Sequence, residues 1–234
     1  MLILAIVCCM LISYLLGSLN SAIITVRLLK HEDIREHGSK NAGLTNTLRC
    51  YGKVPALITL VGDLAKGIIA VLLSQLVCRL FLGADFGSRY LIDEQAVGYI
   101  SGFSAIIGHI FPVYYGFKGG KGVLVASSIL IVIDPITFGI VIPFFIIVVL
   151  LTRYVSVGSI SAAVAYPVIT FCVNRFIRQD TMEKSLLYTG LVICTSILLI
   201  YMHRSNIARL RAGTENRFGQ KKQQTAEEGH HNGS

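Results

Sequence analysis

Hydrophobic residues in this chain come in runs rather than stripes. The runs fall at about 2–29, 54–82, 95–113, 123–133, 135–151, 158–174 and 185–202, with polar segments between them. A helix at a soluble surface keeps one polar face toward water. Runs of roughly 20 residues that are apolar all round suit a bilayer instead. The pattern predicts an all-α, polytopic membrane protein. The stretch 123–151 is 29 residues long and is interrupted by Asp134-Pro135. It is long for one crossing and short for two, and parity decides. With two crossings, the polar segments 30–53, 114–122, 152–157 and 203–234 share one side. With the flanking Arg27, that side carries 15 lysines and arginines against five on the other. One crossing would split them 11 to nine. Basic residues concentrate on the cytoplasmic side, so the first count holds. It gives seven transmembrane helices, the N-terminus outside, the C-terminus in the cytoplasm, and a tight external turn at Asp134-Pro135 between two short helices.

Composition agrees. The chain is 53% hydrophobic and 15% charged, where soluble domains carry about 25% charged residues. The opening run "MLILAIVCCMLISYLLG" has no basic leader region and no small-residue cleavage site, so it reads as a span rather than a secretory signal. Six cysteines are scattered without a CxxC pair, mostly in apolar runs. They read as small packing residues, with no zinc site and no disulfide framework. The tail 219–234 is polar, carries no aromatic residue and is expected to be disordered, which leaves 1–218 as a single transmembrane domain.

Three stretches on the cytoplasmic side are too polar and too rich in glycine to be plain connectors. The first is "HGSKNAGLTNTLRCYGK", residues 37–53. Its glycines allow close backbone approach, and successive N–H groups can form an anion-binding nest. Ser39, Asn41, Thr45 and Asn46 add neutral donors, and Arg49 adds a fork suited to phosphate. The second is "GHIFPVYYGFKGGKG", residues 108–122. Its "GGKG" is no P-loop, because the glycine spacing and the hydroxyl after the lysine are missing. Gly119, Gly120 and Gly122 nonetheless lead into an apolar helix, whose N-terminus offers N–H groups to an anion, and Lys121 supplies charge. Lys118 suits lipid headgroups, and His109, at the end of a span, reads as a packing or capping residue.

The third stretch is "HRSNIARLRAGTENRFG", residues 203–219. His203 and Asn206 share a helix face, with Arg209 or Leu210 continuing it. Its other arginines suit an amphipathic helix on anionic lipid. On the same side, "TRYVSVGS" offers Arg153, Ser156 and Ser159. Inside the second span, Asp63 and Lys66 are spaced i, i+3. A charge there costs roughly 3 kcal/mol, so the two are expected to pair, either bracing the bundle or orienting a site.

Together these residues resemble the PlsY family of integral-membrane glycerol-3-phosphate acyltransferases. The resemblance runs from Tyr14 to Gly219. It rests on "GSKNAGLTNTLR", "GHIFPVYYGFKGGKGV" and "HRSNIARLRAGTENR" in that order, with "SYLLGSLNSA", "GDLAKG" and "TRYVSVGSI" in support. It implies the bacterial cytoplasmic membrane, seven helices, and acyl transfer from acyl phosphate to the 1-hydroxyl of glycerol 3-phosphate. The product is lysophosphatidic acid, the first intermediate of phospholipid synthesis. The resemblance implies Ser39, Arg49, Lys121, His203 and Asn206 as catalytic residues. Asn41, Thr45, Asn46, Gly119, Gly120, Gly122, Ser156, Ser159 and Glu215 are implied around the substrates. Neither a cofactor nor a metal is implied. The expected partners are the two substrates, membrane lipid and the enzyme that makes acyl phosphate; nucleic acid is not among them. The chain departs from the family at Lys40, where glycine is usual. It departs again at Leu124 and Val125, where "GKGVLV" replaces "GKGVAT", and at Arg217, where lysine is usual.

The chemistry fits from below. Acyl phosphate is an activated anhydride, so a hydroxyl held in line with neutralised charges needs little activation. No histidine is followed by aspartate five positions later, and no GxSxG elbow occurs. The proton acceptor is either His203 or the substrate's own phosphate, whose second pKa is near 6. A transporter of a phosphorylated substrate would use the same cations, but it would need polar residues through the midplane, where only Asp63 and Lys66 stand. A scaffold would explain the apolar core but not three anion-suited loops.

Overall fold

The computed structural model describes residues 1–219, and every regular element among them is helical. The first apolar run is one passage in two pieces. α1 (Leu2–Gly17) stops at residues 18–20, and α2 (Ser21–Lys30) restarts with the Asn20 side chain accepting the Ile23 N–H at 3.1 Å, a helix N-cap. α3 (Leu44–Tyr51) is a short amphipathic helix that leads into α4 (Lys53–Leu82), the longest at 30 residues. α5 (Phe86–Arg89) is a single turn at the far end before α6 (Glu94–Ile110) returns. α7 (Val123–Ile133) and α8 (Pro135–Thr152) divide the long fourth run. α9 (Val155–Cys172) ends in a π-helical turn, Val173–Ile177; α10 (Met182–Met202) and the short α11 (Arg204–Arg211) follow.

Of the six long apolar segments, the one containing α6 is the most buried by the rest of the protein and α8 the least. α1 lies against α6 at backbone distance. A Cβ on Gly17 would fall 2.1 Å from the Ala105 carbonyl oxygen, and one on Gly108 would fall 2.2 Å from that of Tyr14. Small residues drive such helix contacts in lipid, where apolar burial itself gives no advantage. α4, α6, α7 and α10 share the main core through Val71, Ile106, Val125, Ile129 and Val192. Of the six cysteines, Cys9 and Cys78 are buried against each other, with 3.6 Å between sulfurs; Cys50, Cys172 and Cys194 are exposed.

Among the described residues, six helical segments are long and apolar enough to cross a membrane, and α7, at 11 residues, is a short seventh passage. Polar contacts show which end each helix reaches. Arg178, after α9, donates to Gln95 at 2.9 Å and to Asp134 at 3.0 Å, and Tyr99 donates to Asp134 at 3.4 Å. The α7–α8 turn therefore lies toward the end where α6 begins and α9 finishes. The run 123–151 passes twice, and the three polar stretches gather at the opposite end.

The expected external turn at Asp134-Pro135 is corrected in one respect. Asp134 is 0% exposed. α7 rises only about 16 Å, and its end is covered by protein rather than standing free. A buried polar turn must be satisfied by protein groups. Arg178, Tyr99 and Thr137 supply them, with Thr137 donating both its N–H and its hydroxyl to the Asp134 carboxylate. The tail expected to be disordered lies, apart from Gly219, outside the described residues.

Candidate active site

The first loop is held by its own asparagine. Gly38 and Lys40 both have φ near +60°, 59° and 58°, which bends the chain sharply on either side of Ser39. Asn46 Oδ1 accepts the Ser39 N–H at 2.9 Å, while its Nδ2 donates to the His37 carbonyl at 3.0 Å. Asn46 was expected to offer a donor to ligand. It is buried and occupied as the staple of the loop, because both ends of its amide are already paired. The Ser39 side chain is left exposed. His37 turns toward Glu32 at 3.2 Å, a carboxylate that also accepts from Tyr51 at 2.6 Å, so it forms no relay to Ser39. Arg49 stands exposed on the last turn of α3 and makes no ion pair among the described residues. Thr45 is exposed on the same helix and Asn41 is half-buried before it.

The second loop is clamped to the first. Arg35, paired with Asp33 at 2.7 Å, also donates to the carbonyls of Tyr115 at 2.6 Å and Lys118 at 3.1 Å. The glycines play a different part from the one expected of them. The Gly119 N–H donates to Ile110 at 3.0 Å and the Gly120 N–H to His109 at 3.1 Å, so neither is free for an anion. Their value is closeness. A Cβ on Gly120 would fall 2.1 Å from His109 Nε2 and 2.6 Å from the Ala42 carbonyl oxygen. Gly122, with φ 84°, is the N-cap of α7, and no side chain among the described residues caps that helix, so its first-turn N–H groups are available.

The third stretch completes the site. Lys121 Nζ donates to Asn206 Oδ1. Asn206 Nδ2 donates to Glu215 Oε1 at 2.8 Å, and the Ser156 hydroxyl donates to the same oxygen at 3.1 Å. Arg209 Nε donates to Glu215 Oε2 at 2.7 Å. Glu215, expected beside substrate, is thus a positioning group, because both carboxylate oxygens are taken by protein donors. Ser159 does not join the network. Its hydroxyl returns to the Val155 carbonyl one turn back on α9. His203 is buried and is held through Nδ1 to the Leu199 carbonyl at 2.8 Å, which leaves Nε2 as its free ring nitrogen.

Burial and charge tune these groups. Burial, reinforced by the positive charges of Arg209 and Arg49 and opposed by Glu215, lowers the Lys121 ammonium to about 8. Burial and the neighbouring Lys121 lower His203 to about 4, so the imidazole is neutral at physiological pH. For Glu215, burial favours the acid form, but bonds from Asn206 and Arg209 outweigh it and hold the carboxyl below its ordinary range. The end of the bundle thus gathers cationic side chains with a neutral imidazole acceptor, a combination suited to phosphate and a hydroxyl. Two contributors are not apparent from motif spacing. Asn20 donates to the Ala42 carbonyl at 3.3 Å, and His109 touches Gly120. The signal for Asn20 is an amide inside an otherwise apolar run.

The family model described as "Glycerol-3-phosphate acyltransferase" matches residues 7–213. Similar relatives include the glycerol-3-phosphate acyltransferase of Chlorobaculum parvum, 42% identical over 222 residues, which cover 88% of this chain and 94% of the relative. That of Chlorobaculum tepidum is 41% identical over 228 residues, covering 90% and 96%. The fold is similar to the crystal structure of PlsY, an integral membrane glycerol 3-phosphate acyltransferase, in its glycerol 3-phosphate form. The TM-score is 0.71 at 30% identity, over 92% of this chain and 96% of that one. The lysophosphatidic acid form of PlsY gives a TM-score of 0.68 at 28% identity, over 92% and 95%. The matched residues include the Ser39 loop, the glycine loop and the His203–Asn206 face, and the chain belongs to the PlsY family of glycerol-3-phosphate acyltransferases.

Proposed function

We propose that the protein transfers a fatty acyl group from acyl phosphate to the 1-hydroxyl of sn-glycerol 3-phosphate, releasing lysophosphatidic acid and phosphate. The transfer is direct, without an acyl-enzyme. The observation that carries this reading is the Lys121–Asn206–Glu215 linkage beside the buried, neutral His203. In support, the similar relatives are named glycerol-3-phosphate acyltransferases, and the solved PlsY forms are those with glycerol 3-phosphate and lysophosphatidic acid.

Arg49 and the Ser39 hydroxyl hold the acceptor's phosphate. Lys121, fixed by Asn206, neutralises the donor's phosphate where negative charge grows as it leaves. The acceptor oxygen forms a bond to the acyl carbon, and the carbon–oxygen bond to phosphate breaks. His203 Nε2 accepts the hydroxyl's hydrogen bond and aims it. A conjugate acid near 4 is too acidic to keep the proton. The acceptor's own phosphate monoester, with a second pKa near 6, takes it. The reaction asks mainly for positioning and charge neutralisation, which can lower a barrier by several kcal/mol without a strong base.

Residues 1–218 form the catalytic unit in the bacterial cytoplasmic membrane, with the three loops facing the cytoplasm, where a soluble acceptor and the enzyme supplying acyl phosphate can reach them. The test is purified protein with glycerol 3-phosphate and either palmitoyl phosphate or palmitoyl coenzyme A, with product read by mass. Lysophosphatidic acid is expected from the acyl phosphate alone. No product above a no-enzyme control would overturn the acyl-transfer reading, and product from the thioester alone would overturn the donor.

A further inference from the structure

The chemistry above makes no use of three ionisable side chains buried beside it. Asp63 and Lys66 lie one turn apart on α4, and His109 lies in the last turn of α6; they are 1%, 6% and 3% exposed. Lys66 Nζ is 2.8 Å from Asp63 Oδ1, 3.0 Å from the Leu19 carbonyl oxygen and 2.9 Å from His109 Nδ1. An ammonium has protons to donate and no acceptor; it donates to the Leu19 carbonyl and to the His109 ring nitrogen, and it pairs with Asp63 Oδ1 by charge, that oxygen having no aligned hydrogen bond among the described residues. His109 Nδ1 therefore accepts, and the ring proton sits on Nε2, against Gly120. On the same side of Gly120 lies the Ala42 carbonyl, which accepts from Asn20, and Asn20 adjoins the Leu19 carbonyl that Lys66 holds.

The contacts close into a ring: Lys66, His109, Gly120, Ala42, Asn20, Leu19 and back to Lys66. Gly120 is bonded directly to Lys121. Ala42 lies in the loop that carries Ser39 and Arg49. Bracing alone does not explain why charges occupy the centre, because a well-packed apolar pair generally stabilises as much or more. What an apolar pair lacks is direction. It cannot fix the tautomer and rotation of an imidazole set between α4 and the glycine loop.

We propose that Asp63, Lys66 and His109 are positioning residues that set the separation between the Ser39–Arg49 loop and Lys121, and so the distance from acceptor hydroxyl to donor carbonyl. The inference rests on the acyl-transfer reading. Each loop keeps its own phosphate contacts when the separation changes, so disturbance falls on kcat rather than on KM. A misplacement of about 1 Å can lower a rate about 100-fold.

The experiment compares the double variant Asp63→Leu/Lys66→Met with His109→Asn, each purified and checked for cooperative thermal unfolding. His109→Asn retains an acceptor near Nδ1, so the buried ammonium stays paired while the contact with Gly120 is lost. It decides the matter if the double variant does not fold. Both should lose at least about tenfold in kcat, with KM for glycerol 3-phosphate within about twofold of wild type. His109→Gln, whose amide reaches the Nε2 position, should recover more than His109→Asn. Wild-type kcat in a folded variant, or a loss confined to KM, would overturn the proposal while wild-type protein remains active. A wild-type protein that forms no lysophosphatidic acid would overturn the underlying reading instead.

Discussion

Replacing Glu215 by glutamine exchanges one carboxylate oxygen for an amide nitrogen in almost the same volume. Glu215 accepts from Asn206 at 2.8 Å and Ser156 at 3.1 Å on one oxygen, and from Arg209 at 2.7 Å on the other. A glutamine that keeps its oxygen toward Asn206 turns an amide N–H toward Arg209. If it flips, its N–H groups face those of Asn206, which must then turn its own NH₂ toward Lys121. Each arrangement sets donor against donor. A lost hydrogen bond to a charged group costs about 1.5–3 kcal/mol, and each 1.36 kcal/mol is tenfold in rate. Glu215→Gln should therefore lower kcat/KM by about 10- to 100-fold, although the residue touches no substrate. The assay is initial velocity of lysophosphatidic acid formation across acceptor concentrations, beside thermal unfolding of both proteins. A double variant sharpens it. If Glu215 acts through Asn206, Glu215→Gln/Asn206→Ala should lose no more than Asn206→Ala alone. Wild-type velocity in Glu215→Gln, or a fully additive loss in the double variant, would refute the chain of contacts from Glu215 to Lys121.

His203 should make the fold acid-sensitive. Its native pKa of about 4 lies below the ordinary 6.5, so between those values the unfolded chain binds a proton that the native state does not. Stability should fall as pH drops through that window, by about 3 kcal/mol in all. His203→Gln should flatten the melting temperature between pH 7 and 4.5; parallel curves would count against it. Lys121 should lose its charge as pH rises through about 8 in the free protein, so kcat/KM should decline above that pH. Lys121→Arg should remove the alkaline limb, and a limb unchanged in the arginine variant would assign it to another group. Ser39→Ala should weaken glycerol 3-phosphate binding while turnover survives at high acceptor. An acyl group mapped to Ser39 after incubation with acyl phosphate alone, and discharged by acceptor, would replace direct transfer with a covalent route. Single cysteines near Lys40, Gly120 and Ser156 on a cysteine-free background should react only from the cytoplasmic side; labelling from outside would invert the proposed orientation.

The sequence by itself determined the helical membrane class, because a run of about 20 apolar residues has few other stable homes. It also determined that 123–151 passes twice and that the three polar stretches share one end. Charge asymmetry and parity are sums along the chain and need no tertiary contact. His203 and Asn206 were legible as neighbours because i, i+3 spacing on a helix is local geometry. What each polar atom faces was a different matter. Asn46, Glu215 and Ser159 looked open to ligand, yet each is occupied by protein. Gly119 and Gly120 looked like anion donors, yet their N–H groups belong to the end of α6. Asp134 looked like a surface turn and is buried because Arg178, Tyr99 and Thr137 close over its carboxylate. Lys121 meets Asn206 across 85 residues, and Lys66 meets His109 across 43. A hydrogen bond is decided over about 3 Å, and only the packed helices bring residues that distant in the chain within that range.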